Sequence, residues 1–219
     1  MPVGESDKGF GAEKGVFYYG IQTHFTSIDW WHGPLEEEPF KHSGTLNTFV
    51  VRPSLIYGLS EKTNLMISST LGTRSLNWKQ PNSSMHHRNE SSLTDFHNAR
   101  GSILGDSKIL LRYLVKNAGL GNGLRVYTGG GLTIPSNAQL TSDPFFLNGD
   151  EVKEHRHFSL SNGTYNYNLE AQMYYKRSAN PTFFGGFILY ERPLSESKHG
   201  YLAPANLNLV FSMIYKRFD

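Results

Sequence analysis

Cysteine is absent from this 219-residue chain. That removes disulfides, thiolate metal ligands and cysteine nucleophiles in one step. Also missing is any run near the ~18–20 apolar residues that take a helix across a bilayer, which excludes a helical membrane protein. Neither sign of charge dominates. The 21 Lys and Arg against 19 Asp and Glu leave a net +2, too balanced to point to nucleic acid. The opening Met1-Pro2-Val3-Gly4-Glu5-Ser6 has neither the basic start nor the apolar core of a secretory signal.

What the chain has instead is aromatic residues in a polar setting. Hydrophobic residues make up only 38% of it, yet 12 Tyr and 14 Phe are present. Four strand-like runs close on a tyrosine followed by a basic or polar turn: Tyr57, Tyr113, Tyr175 and Tyr215. Long polar connections lie between the short turns, so connections alternate long and short.

Period-two alternation predicts eight strands, at about Gly15–Ile28, Leu46–Gly58, Thr63–Thr73, Ser107–Val115, Leu124–Ile134, Tyr165–Tyr175, Thr182–Glu191 and Tyr201–Arg217. The sixth is the clearest. Tyr165, Tyr167, Leu169, Ala171, Met173 and Tyr175 alternate with Asn166, Asn168, Glu170, Gln172 and Tyr174. Residues 1–14 read as a lead-in, ordered on contact or loose, and 15–219 as one barrel. Residues 30–44 and Lys79–Gly105 read as long loops.

Alternation alone suits a soluble barrel or sandwich equally well, with the apolar face turned in. The inverted arrangement, apolar face out, is favoured by two features. Long and short connections are sharply segregated, and the polar face carries Asn, Gln, Ser and Thr where a solvated sheet carries Lys and Glu. The expected fold is therefore an all-β, antiparallel, up-and-down transmembrane β-barrel of about eight strands. Short turns would be periplasmic and long loops extracellular, in a bacterial outer membrane. The lack of a signal pattern then leads to the expectation of a mature form or a renumbered start. The tyrosines named above form an inner aromatic girdle, with Trp30 and Trp31 at the outer interface.

Several segments resemble the outer-membrane transporter family associated with phenol-degradation operons, itself distantly similar to long-chain fatty-acid porins. They are Pro53-Ser54-Leu55-Ile56-Tyr57-Gly58-Leu59-Ser60 with Asn64-Leu65, Leu104-Gly105-Asp106-Ser107-Lys108 before Arg112-Tyr113, Gly130-Gly131-Leu132-Thr133-Ile134-Pro135, and Asn162-Gly163-Thr164-Tyr165. The resemblance implies passage or binding of a small hydrophobic or aromatic solute. The family generally has more strands, and a barrel of eight is filled by its own side chains and leaves no open channel, which argues against transport through the lumen.

On the predicted parity, Arg52, Lys108, Arg112, Arg125, Glu170, Lys176 and Lys216 face inward. They read as an anion-biased lumen or, preferably, as an internal ion-pair network around Glu170 with solvated rim charges. The histidines (His86, His87, His97, His155 and His157, with His32, His42 and His199) read as exposed loop residues, so no metal and no cofactor is expected. His157 and Ser159, beside Ser161-Asn162-Gly163, offer a base and nucleophile of the outer-membrane lipid-hydrolase type. Leu160 splits that motif and no orienting acid can be assigned, so the expectation is no catalytic residue and no enzyme. The expected partners are the bilayer and other envelope proteins, without nucleic acid. The rival role is a structural barrel presenting its loops to an envelope assembly.

Overall fold

The computed structural model describes residues 11–34, 38–80, 84, 87–93, 96, 98–118, 121–142, 156, 158–177 and 182–215, the side chains of 214 and 215 excepted. The protein is an all-β antiparallel sheet, with no helix among these residues. Eight long strands are β1 (Phe17–His32), β2 (His42–Gly58), β3 (Thr63–Trp78), β5 (Leu104–Asn117), β6 (Gly123–Ile134), β7 (Asn166–Arg177), β8 (Thr182–Pro193) and β9 (Asn206–Tyr215). The short β4 (Glu90–Ser91) adds to the outer part of β3.

Each long strand pairs with its neighbours in chain order, β1-β2-β3-β5-β6-β7-β8-β9. The sheet curls into a half-barrel, and its concave face gathers side chains from β1 through β9 around one cavity. The finishes of β2, β5 and β7 and the starts of β3, β6 and β8 lie at one end, with the start of β1 and the finish of β9. The other strand ends, which the long connections join, lie opposite.

The two faces are inverted relative to a soluble core. On β7, Asn166, Asn168, Glu170 and Gln172 are buried, with Asn168 only 1% exposed, whereas Leu169 and Met173 are 55% and 58% exposed. β5 repeats the pattern, with Lys108 and Arg112 facing in and Leu111, Tyr113 and Val115 facing out. Burial here follows curvature. The concave face is shielded by the sheet itself, and the convex face meets its surroundings with Leu, Ile, Phe and Met.

Element boundaries differ from the sequence reading at the long-loop end. Residues 30–32 and 42–45 are strand, because the β1–β2 ladder continues through Trp30↔Gly44, Trp31↔Ser43 and His32↔His42. β3 likewise extends to Trp78, and β4 lies within a stretch expected to be loop. The last strand begins at Asn206 instead of Tyr201. Pro204, which has no N–H to give to a ladder, lies two residues before this start.

The turn end of the concave face is filled. Ala12 joins Ile56, Met66 and Leu110 in a buried cluster, and Asn64 grips the backbone of Ala12 from both sides. Gly15 and Val16 exchange backbone hydrogen bonds with Gly58. Ala12 therefore packs inside the sheet, while residues 13–16 lie exposed against its end at Gly58.

Candidate functional site in the polar concavity

Period-two strands aim every second side chain at the concave face, and the register stacks these side chains in rows. One row carries Arg112 of β5, Gly129 of β6 and Glu170 of β7. Gly129 has no side chain to stand between the other two, and they meet across it. Arg112 Nε lies 2.8 Å from Glu170 Oε1, and Arg112 Nη2 donates to Glu170 Oε2 at 3.0 Å. Both side chains are 1% exposed, and Gln172 Nε2 also donates to Glu170.

A second network sits nearer the long-loop end. Lys108 Nζ is 2.9 Å from Glu191 Oε2. The other oxygen of Glu191 accepts from Thr133 Oγ1 at 2.7 Å and from Asn166 Nδ2 at 2.8 Å. Asn168 Nδ2 donates to Thr133 Oγ1 at 2.9 Å, extending the network toward Glu170.

Above these pairs the concave face holds a cavity of about 460 Å³. Met66 and Leu110 contribute an apolar floor, and the same two residues contact the Ala12 cluster. The walls are mainly polar, with Gln22 and Arg52 on one side, Asp106, Lys108, Asn166 and Glu191 along the middle, and Asn206 and Asn208 on the other, while Phe187, Leu189 and Val210 add apolar surface. Arg52 reaches Gln22 through Nη1 at 3.4 Å. Two cations and two anions thus line the cavity, so it is charge-balanced. Such a wall can orient a small solute by hydrogen bonds while the floor takes an apolar part.

Of the other inward charges expected from sequence, Arg125 is half-buried and bonds Asn117 at 3.4 Å, Lys176 is half-buried at the turn end, and Lys216 lies outside the described residues. Glu191 and Asp106 were not among them. Glu191 occupies the inward parity of β8, and that signal was available in the alternation of Phe183, Phe187 and Leu189.

The interface aromatics are placed unequally. Tyr113 projects outward, Tyr57 stacks on Phe17 with centroids 4.3 Å apart, and Tyr175 packs against Phe184 at 5.3 Å. The side chain of Tyr215 lies outside the described residues. Trp31 is exposed, with Lys41 Nζ 4.7 Å from its ring centroid. Trp30 turns to the opposite face among histidines, because adjacent strand residues cannot share a face.

His157 lies outside the described residues. Ser159 precedes β7, so strand parity does not extend to it, and its hydroxyl donates to the Ser161 carbonyl at 2.7 Å.

The long connections contain order that the sequence did not announce. Arg156, 1% exposed, donates from Nε to Glu90 at 3.1 Å and also to the Ser91 carbonyl, while its backbone exchanges two hydrogen bonds with the Asn98 side chain. Burial pushes the Glu90 carboxyl up, and the Arg156 guanidinium opposes that shift. No protein-family model, curated protein or solved structure matches this chain.

Proposed function

We propose that this chain is a transmembrane β-barrel of a bacterial outer membrane, and that it binds a small polar solute in a blind cup. The observation that carries this reading is the inversion of the faces. A water-soluble sheet that buried Asn, Gln, Arg and Glu while exposing Leu, Met, Phe and Ile would leave a large apolar surface against solvent. In a bilayer the same arrangement is the favourable one, with apolar side chains toward lipid and polar ones toward the interior. A tilted spanning strand needs about 9–11 residues, and every long strand supplies at least 10.

A cup, and not a channel, is supported by the turn end, where Ala12 with Ile56, Met66 and Leu110 and the Arg112–Glu170 pair occupy the interior. The polar wall favours a polar solute over the hydrophobic or aromatic one that the family resemblance implies. The long connections, braced by Arg156, are the surface offered to other envelope proteins.

The test is extraction and reconstitution of the full chain. It should require detergent, migrate differently on gels with and without heating, and give no stable conductance steps in planar bilayers. Solubility in plain buffer with unchanged migration would overturn the membrane reading. Steady conductance by the intact protein would replace the cup with a pore.

A further inference from the structure

We propose that His32, His42 and His87 form a binding site for a divalent transition metal of the zinc type, on the long-loop end of the sheet. The proposal does not depend on the membrane reading.

Three segments build the site. His32 closes β1 and His42 opens β2, and the two are paired in register. His87 comes from the connection after β3, and Glu38 from the connection between β1 and β2. One ligand nitrogen from each histidine lies within 4.8 Å of the others. His32 Nε2 and His87 Nε2 are 3.4 Å apart, and His42 Nε2 is 3.1 Å from Glu38 Oε2. Zinc–nitrogen bonds of about 2.0–2.1 Å set ligand atoms about 3.3 Å apart across a tetrahedral angle, so the His32–His87 separation suits a shared ion. A simple imidazole–imidazole hydrogen bond explains that contact alone. It does not explain why a third ring, that of His42, converges on the same point.

The surroundings also suit a metal. His32 Nδ1 lies 2.7 Å from the Gly33 carbonyl, an arrangement that keeps the proton on Nδ1 and leaves Nε2 with its lone pair. Ser84 Oγ donates to Glu38 Oε2 at 3.0 Å and accepts from the His87 backbone N–H, also at 3.0 Å, tying the carboxylate beside His42 to the segment that carries His87. Trp30 and Trp78 close around the rings, with centroids 5.0 Å and 5.3 Å from that of His87. His42 is fully buried and His87 nearly so, which departs from the exposed loop histidines expected from sequence. Three imidazoles favour Zn²⁺, Co²⁺, Ni²⁺ or Cu²⁺ over Mg²⁺ or Ca²⁺. A bound ion would staple the projecting β1–β2 hairpin to the connection that follows β3.

Zinc and cobalt titrations of the metal-stripped, folded full chain test the site. About one ion per chain should bind. Cobalt should give the visible absorption of a tetrahedral centre and quench tryptophan emission, because two of the chain's 3 tryptophans touch the site. His87→Ala and His32→Ala should each remove the cobalt spectrum, whereas His199→Ala should leave it intact. Ser84→Ala should weaken binding about tenfold, the lower end of what outer-shell partners supply. Far-UV circular dichroism compared with the parent chain checks that each variant is folded, and His32, only half-buried, gives a readable variant should His87→Ala not fold. Absence of binding, or binding unchanged in His32→Ala, would overturn the proposal.

Discussion

Arg112 and Glu170 sit two strands apart, yet they form a two-point ion pair because Gly129 stands between them without a side chain. Buried this deeply, either charge alone would be uncompensated. Glu170→Ala should therefore destabilise the protein by about 3–5 kcal/mol, read from the denaturant midpoint of tryptophan emission in detergent. Joint replacement by Arg112→Met and Glu170→Leu should recover most of that loss, since a well-packed apolar pair avoids the desolvation of two charges. A double variant as unstable as the single one would mean that packing, and not charge, sets the effect. Residue parity was legible in sequence for this pair, because the alternation along β5 and β7 turns both side chains inward. Their partnership was not, since it depends on a third strand and on register. The histidine site was hidden for the same reason: His32, His42 and His87 are brought together by ladder pairing and a loop return, neither of which leaves a local spacing motif.

Among the elements, the segment over residues 11–16 is the one whose position decides between a cup and a channel. Its hold on the sheet is largely backbone to backbone, through Gly58, with Asn64 closing on Ala12. Contacts of that kind have no hydrophobic periodicity, so the sequence does not announce them. Strands β5 to β8 were read nearly to their ends, β7 because it alternates cleanly and β8 because it is a continuous apolar run between turn signals. β1 to β3 were cut short because their outer turns carry Trp, His, Gly and Asn, where pairing and not apolar pattern maintains the strand. A Cβ at Gly58 would lie 1.9 Å from the Glu13 carbonyl oxygen, a backbone atom with little room to yield. Gly58→Ala should therefore expel the segment. Trypsin should then cut after Lys14 about tenfold faster, the factor that ~1.4 kcal/mol of lost docking produces. Heat-dependent migration should persist, showing that the sheet survives. Unchanged cleavage in a folded variant would show that the segment is held elsewhere.

At the scale of the whole molecule the open question is the edge. Among the described residues β1 pairs only with β2, and β9 only with β8. Both edge strands are heavily exposed, with Phe211 at 88% and Tyr19 at 80%. Unpaired ladder groups are tolerable beside water but cost several kcal/mol each in hydrocarbon, so a bilayer drives the two edges to find partners. The geometry favours each other. Gln22 of β1 and Asn206 and Asn208 of β9 line the same cavity, and eight alternating strands bring the first and last together antiparallel. Closure would leave an interior wide enough for packed side chains or one small ligand, in keeping with a cup. Because the chain has no cysteine, disulfide trapping reads out cleanly. Gln22→Cys combined in turn with Asn206→Cys, Asn208→Cys, Val210→Cys or Ser212→Cys should give an intramolecular bond in at least one pairing. That bond requires Cα atoms within about 4.4–6.8 Å, a distance that only ladder contact supplies. Outward-facing Leu207→Cys or Leu209→Cys should not cross-link to the same site. Bonds formed only between chains would mean that the edges close on a second copy, and no bond in any pairing would sink closure altogether.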